Sequence, residues 1–76
     1  MKSVNIKLNT IEDVRDFVNI ISMSDLDADL SSGRYVVDAK WIMGIFSLDL
    51  LSPVKLTLRT DDCDQLLKSL SRFIVE

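Results

Sequence analysis

Histidine is absent from all 76 residues, and cysteine occurs once, at Cys63. With one thiol and no imidazole, the chain offers neither a cysteine–histidine metal site nor a thiol nucleophile activated by histidine, and Cys63 has no partner for an internal disulfide. Proline occurs once and glycine twice, and no repeat, linker or low-complexity tract appears. No apolar run approaches the roughly 18 residues that a membrane span requires, and no charged-then-apolar leader is present, so the expectation is a cytoplasmic protein with no membrane association. Excess positive charge is also missing. Nine Lys and Arg stand against twelve Asp and Glu, a net charge of -3, with the basic residues scattered along the chain. That balance argues against nucleic acid and for protein or small-molecule partners. A chain this short is one domain, residues 1–76, which buries only roughly 60% of the surface its unfolded form exposes and has no room for a deep cavity.

What is present is regular patterning. Val4, Ile6 and Leu8 alternate with Asn5 and Lys7, the period of a strand with one buried face. Thr10 is a helix cap by type, and Asp13 three residues later supplies the acid of a capping box and favours the positive end of the helix dipole. Val14, Phe17, Ile20 or Ile21, and Ser24 continue at helical spacing. From Asp25 to Leu30 the period returns to two, with Leu26, Ala28 and Leu30 inward and Asp25, Asp27 and Asp29 outward. Three acids in alternation suggest calcium, but the glycine turn and distal glutamate of an EF-hand loop are lacking. They suit a solvated strand face instead, so no metal and no cofactor is expected. A turn at 31–34 and a strand at 35–39 complete a hairpin over 25–39.

The segment 39–51 carries the only Trp, one of the three Met and a dense apolar run. As a short helix it places Ile42, Met43 and Phe46 on one side and Ile45 and Leu48 on another, so one apolar face is either exposed for a partner or also core. A short helix over one layer buries one side only, which predicts a partly exposed patch of Trp41, Ile42, Met43 and Phe46. Pro53 ends the segment. Val54, Leu56 and Leu58 alternate as a fourth strand. Thr60, Asp61 and Asp62 then supply the cap and first-turn acids of a last helix, with Cys63 in its first turn as a passive side chain and Leu66, Leu67, Leu70, Phe73 and Ile74 as its buried stripe. The order β-α-β-β-α-β-α packs most simply as a two-layer α+β domain, a four-stranded sheet covered on one face by helices.

Ala39-Lys40-Trp41-Ile42-Met43-Gly44-Ile45-Phe46-Ser47-Leu48, placed before a fourth strand, resembles the regulatory segment of the histidine-containing phosphocarrier (HPr) family of the bacterial sugar phosphotransferase system, which typically reads Ala-Lys-Ser-Ile-Met-Gly. Element order and length match over nearly the whole chain. The resemblance implies an open-faced β-sandwich with an antiparallel sheet, and a partner surface formed by the N-terminus of the first helix and the exposed side of the short helix. Two departures stand out. Family carriers take phosphate from phosphoenolpyruvate, through the first enzyme of the system, on a histidine in a Gly-x-His-x-Arg-Pro segment. If Arg15 takes the place of that arginine, Asp13 falls at the histidine position and Asp16 at the proline. Trp41 stands where many members carry a serine phosphorylated by an ATP-dependent kinase.

The resemblance therefore implies a divergent, non-enzymatic member that cannot relay phosphate through histidine. It would act as a regulatory or protein-binding module whose partners are phosphotransferase components or a regulator. Asp13, Arg15, Trp41, Ile42, Met43 and Phe46 would be its contacts, and the Trp41 patch a route to self-association. Two alternatives stand beside it. One is phosphate acceptance on Asp13 as an acyl phosphate at a helix N-terminus, opposed by the neighbouring acids Glu12 and Asp16. The other is a ferredoxin-like ligand-binding or assembly domain that shares the element order by chance.

Overall fold

The structure, a computed structural model, describes residues 1–75. Alternation at the start of the chain produces β1 (Lys2–Ile6), in which Ile6 is fully buried and Val4 packs against the same core. Leu8 lies beyond the strand but still turns inward. There follow α1 (Ile11–Ser22), β2 (Ala28–Ser32), β3 (Tyr35–Asp38), α2 (Ile42–Phe46), β4 (Val54–Leu58) and α3 (Asp64–Ser69). A 3-10 turn at Ser71–Phe73 then leads into β5 (Ile74–Val75). The sheet runs β3-β2-β4-β1-β5, with every pair antiparallel.

Register explains the two layers. Val4 lies opposite Leu56 and Ile6 opposite Val54, while Leu30 lies opposite Leu56 and Ala28 opposite Leu58, so one face is a continuous apolar surface. Ser3 and Asp29 flank Thr57, and Asn5 and Ser31 flank Lys55, so the other face is polar. Period two thus sorts each strand, and neighbouring strands agree on which side is wet. Against the apolar face pack Val14, Phe17 and Ile21 of α1, Ile45 of α2 and Leu66 of α3, with Leu70 and Phe73 completing the cluster. Phe17 meets Phe73 edge to face, with ring centroids 6.1 Å apart.

The architecture is the expected α+β open-faced sandwich, with a sheet of five strands instead of four. The last helix does not run on through Ile74. It ends at Ser69, and Ile74 and Val75 pair with Ile6 and Asn5 while the Lys7 N–H donates to the Phe73 carbonyl at 2.8 Å. The outer edge of β1 needs partners for its N–H and C=O groups, and two β-branched residues suit a strand better than a helix end. Helix α3 also starts later than expected. The Thr60 hydroxyl accepts from the Asp62 N–H at 3.1 Å and closes a turn of its own. Cys63, 2% exposed, is itself the N-cap residue and makes no side-chain capping bond. Asp25, Leu26 and Asp27 precede β2 and do not form part of it. Asp29 is held by Arg59 at 2.7 Å.

Candidate functional site

The N-terminus of α1 is fixed by two reciprocal bonds. The Asp13 N–H donates to the Thr10 hydroxyl at 3.0 Å, and the Asp13 carboxylate accepts from the Asn9 N–H at 3.0 Å. Thr10 has the extended backbone of an N-cap, so the acid reaches the residue before the cap and ties the incoming chain to the first turn. The other carboxylate oxygen faces Arg72 at 3.3 Å, and Arg72 also binds Asp16 at 2.8 Å while its guanidinium lies 4.1 Å from the centroid of the Phe73 ring. The 3-10 turn before β5 is thereby clamped onto α1. Arg15 is exposed on α1 and makes no ion pair among the described residues. Glu12, in the first turn, is exposed as well.

The Asp13 carboxyl is held below its ordinary value of 3.8, first by the Asn9 N–H and then by Arg72, with desolvation opposing both. A depressed folded pKa contributes stability that is fully present above the ordinary value and is lost as pH falls through the lower folded value. The stability difference between wild type and Asp13→Asn is therefore expected to be largest above the ordinary carboxyl value of 3.8 and to shrink as pH falls below it through the depressed folded value. Urea denaturation at several pH values measures it. A difference independent of pH would remove the electrostatic account of this acid.

Helix α2 is placed by the residues ahead of it. Ala39 is fully buried, with its N–H donating to the Ala28 carbonyl at 3.0 Å. The Lys40 ammonium reaches the Ser24 carbonyl just beyond α1 at 3.1 Å. Trp41 is the N-cap and offers no side-chain bond, but its indole lies directly over Gly44. A methyl group on Gly44 would collide with the indole at Cε3, so only glycine permits this contact. Ile45 is fully buried and Leu48 7% exposed, whereas Trp41 is 58%, Met43 68% and Phe46 42% exposed. Ile42 is half-buried and packs against the core.

Between α1 and α2 lies an open groove of about 380 Å³, lined among others by Thr10, Ile11, Val14, Phe46, Leu50 and Leu51. The Lys7 ammonium holds one wall, donating to the Leu50 carbonyl and to the Asn9 side-chain oxygen, both at 2.9 Å. Ile11 and Leu51 stand 69% and 90% exposed beside Phe46. Of the residues expected at a partner surface, Phe46 on α2 lines this groove, whereas Asp13, on the first turn of α1, is engaged by Asn9 and Arg72 and is not part of its wall. Ile11, Leu51 and the tethers Lys7 and Arg72 were not among the residues that sequence reasoning singled out. Ile11 follows a cap and Leu51 precedes a proline by two positions, which marks exposed element ends. Arg72 carries no such local signal, since its partners are more than fifty positions away.

The five-stranded antiparallel sheet, the helices on one face and the paired ends of α1 and α2 define an open-faced sandwich of the phosphocarrier type. No protein-family model and no curated protein sequence matches the chain. Solved structures do. HPr-C-His from Thermoanaerobacter tengcongensis superposes with a TM-score of 0.77 at 30% identity, covering 95% of this chain and 89% of that one. The phosphocarrier protein HPr from Bacillus anthracis str. Ames superposes with a TM-score of 0.68 at 24% identity, covering 97% and 94%, and shares the fold. The chain belongs to the HPr phosphocarrier family. A ferredoxin-like domain that shares the element order by chance is set aside by this match. Among the described residues no helix is long and apolar enough to cross a membrane.

Proposed function

We propose that this HPr family member is a protein-docking or regulatory module of the sugar phosphotransferase system that does not relay phosphate through histidine. The observation that supports it most directly is a rim of exposed apolar side chains, Ile11, Phe46 and Leu51, lining the groove between α1 and α2, with Met43 also exposed on α2. Trp41 is exposed at the start of the same short helix. The chemistry of transfer is missing from the sequence, since no histidine is present and position 41 carries no hydroxyl. Aromatic and methionine side chains on a shallow, partly apolar surface suit contact with another protein. Arg15 then serves as a polar contact at the rim, and the partner is a component or regulator of the phosphotransferase system.

Asp13 remains structural in this reading. Its oxygens already accept from the Asn9 N–H and from Arg72, so a phosphoryl group would have to displace bonds that hold the helix start. Incubation with phosphoenolpyruvate and the first enzyme of the system is expected to leave the mass of the chain unchanged, as is incubation with ATP and the HPr-directed serine kinase. The chain should instead inhibit phosphorylation of a histidine-bearing HPr by that first enzyme, and Phe46→Ala should weaken the inhibition by about tenfold. Phosphate mapped to Asp13 would promote the acyl-phosphate alternative, phosphate on Ser47 would show a displaced kinase site, and absence of inhibition would remove the first enzyme as the partner.

A further inference from the structure

We infer that the free edge of β3 pairs with β3 of a second copy of this chain, forming a symmetric dimer with Arg34 of each copy against Asp38 of the other. β3 is an edge strand, neighboured only by β2. The Ala39 N–H donates to the Ala28 carbonyl, and the register places Leu30 opposite Val37 and Ser32 opposite Tyr35. Bonded pairs alternate in an antiparallel ladder, so positions 35, 37 and 39 face β2 and Val36 turns its N–H and C=O to the open edge. The Asp38 N–H turns the same way, while its carbonyl is taken by the Trp41 N–H at 3.0 Å. This edge is apolar for its length, with Tyr35 74% and Val36 63% exposed. No β-bulge and no proline protects it.

Charge selects the occupant. Asp38 lies directly opposite Asp29 on β2, an unfavourable like-charge pair, and the one arginine nearby, Arg59, is bound to Asp29 at 2.7 Å. Among the described residues the Asp38 carboxylate accepts only the Lys40 N–H, at 2.8 Å, and makes no ion pair. Arg34 is exposed in the two-residue turn before the strand, where Gly33 supplies the positive φ of 59°, and it has no ion pair there either. A two-fold axis through Val36 lets the outward N–H and C=O of that residue bond their own counterparts. The same axis brings position 34 opposite position 38, because each lies two residues from Val36. An unpaired cation and an unpaired anion on one strand thereby neutralise each other twice, and Tyr35 of each copy meets Val37 of the other. The pairing would join two five-stranded sheets into one of ten strands. The contact is small, so the dimer is weak and concentration-dependent.

Sedimentation equilibrium at low ionic strength is expected to show wild type passing from monomer to dimer as its concentration rises to about 1 mM. R34D and D38R should each weaken association by about tenfold or more, since each creates two like-charge contacts in its own dimer. Mixed in equal amounts, the two variants restore both opposite-charge contacts and should associate within about threefold of wild type. V36P removes an N–H that no strand of the monomer uses, so it should abolish the dimer and leave the thermal melt of the monomer close to that of wild type. Wild type that stays monomeric at about 1 mM overturns the inference. So does a dimer that R34D and V36P leave intact. If Trp41→Ser abolishes such a dimer, the contact lies on α2 instead.

Discussion

Phe17→Ala is expected to cost about 3–5 kcal/mol, the range for truncating a buried phenylalanine. Phe17 is fully buried on the inner face of α1, and its ring meets Phe73 edge to face at 6.1 Å, a geometry that contributes about 0.5–1.5 kcal/mol beyond area alone. Phe73 is in turn covered by Arg72, which binds Asp13 and Asp16 of α1. One substitution therefore loosens helix packing, the 3-10 turn that carries Phe73 and the support for the N-terminus of α1. A domain of this length is stable by on the order of 4–11 kcal/mol, so the variant should be close to unfolding at room temperature. Urea denaturation followed by far-UV circular dichroism measures the loss. A cost below about 1 kcal/mol would mean that α1 does not pack through this ring.

On α2 a pair of substitutions should differ by several kcal/mol although they are four residues apart. Ile45→Ala is expected to cost about 2–5 kcal/mol, because the side chain is fully buried beneath the helix and its removal leaves a cavity. Trp41→Ser should change stability by less than about 0.5 kcal/mol, as at an ordinary surface position, because the indole is 58% exposed and lies over the backbone of Gly44. Association with the partner of the docking surface should weaken in Trp41→Ser and persist in whatever fraction of Ile45→Ala remains folded. Equilibrium denaturation and the inhibition assay together separate the two effects. A loss of about 3 kcal/mol or more in Trp41→Ser would make the indole a core residue and remove it from the docking surface.

These two sides of α2 bear on how the family's scaffold is used here. A carrier needs an acceptor atom, a partner surface and a rigid platform beneath them. This chain keeps the family fold and a buried platform of Val14, Phe17 and Ile45. Arg72 and Lys7 are platform parts of another kind. Each ties a segment remote in sequence to the approaches of the groove, Arg72 by ion pairs to α1 and Lys7 by its bond to the Leu50 carbonyl.

Much of this was legible in the chain as written. Alternation in β1 and β4 identified the apolar face because each strand needs only its own period to sort side chains. Thr10 and Asp13 marked the start of α1 because their bonds close within four residues. The absence of histidine excluded imidazole chemistry outright, since no fold supplies a missing functional group. Tertiary structure alone decided the rest. Ile74 and Val75 left the expected helix because the edge of β1, almost seventy residues away, required partners. Asp13 gained Arg72, and Leu51 came beside Ile11 across a groove, through packing that no local period encodes. Trp41 was expected at a partly exposed helix face, but its seat over Gly44 follows from the N-cap geometry that swings the indole back across the first turn. Local pattern fixes which way a side chain points along its own element. Which distant residue it meets depends on the sheet order and on how the helices settle on its apolar face.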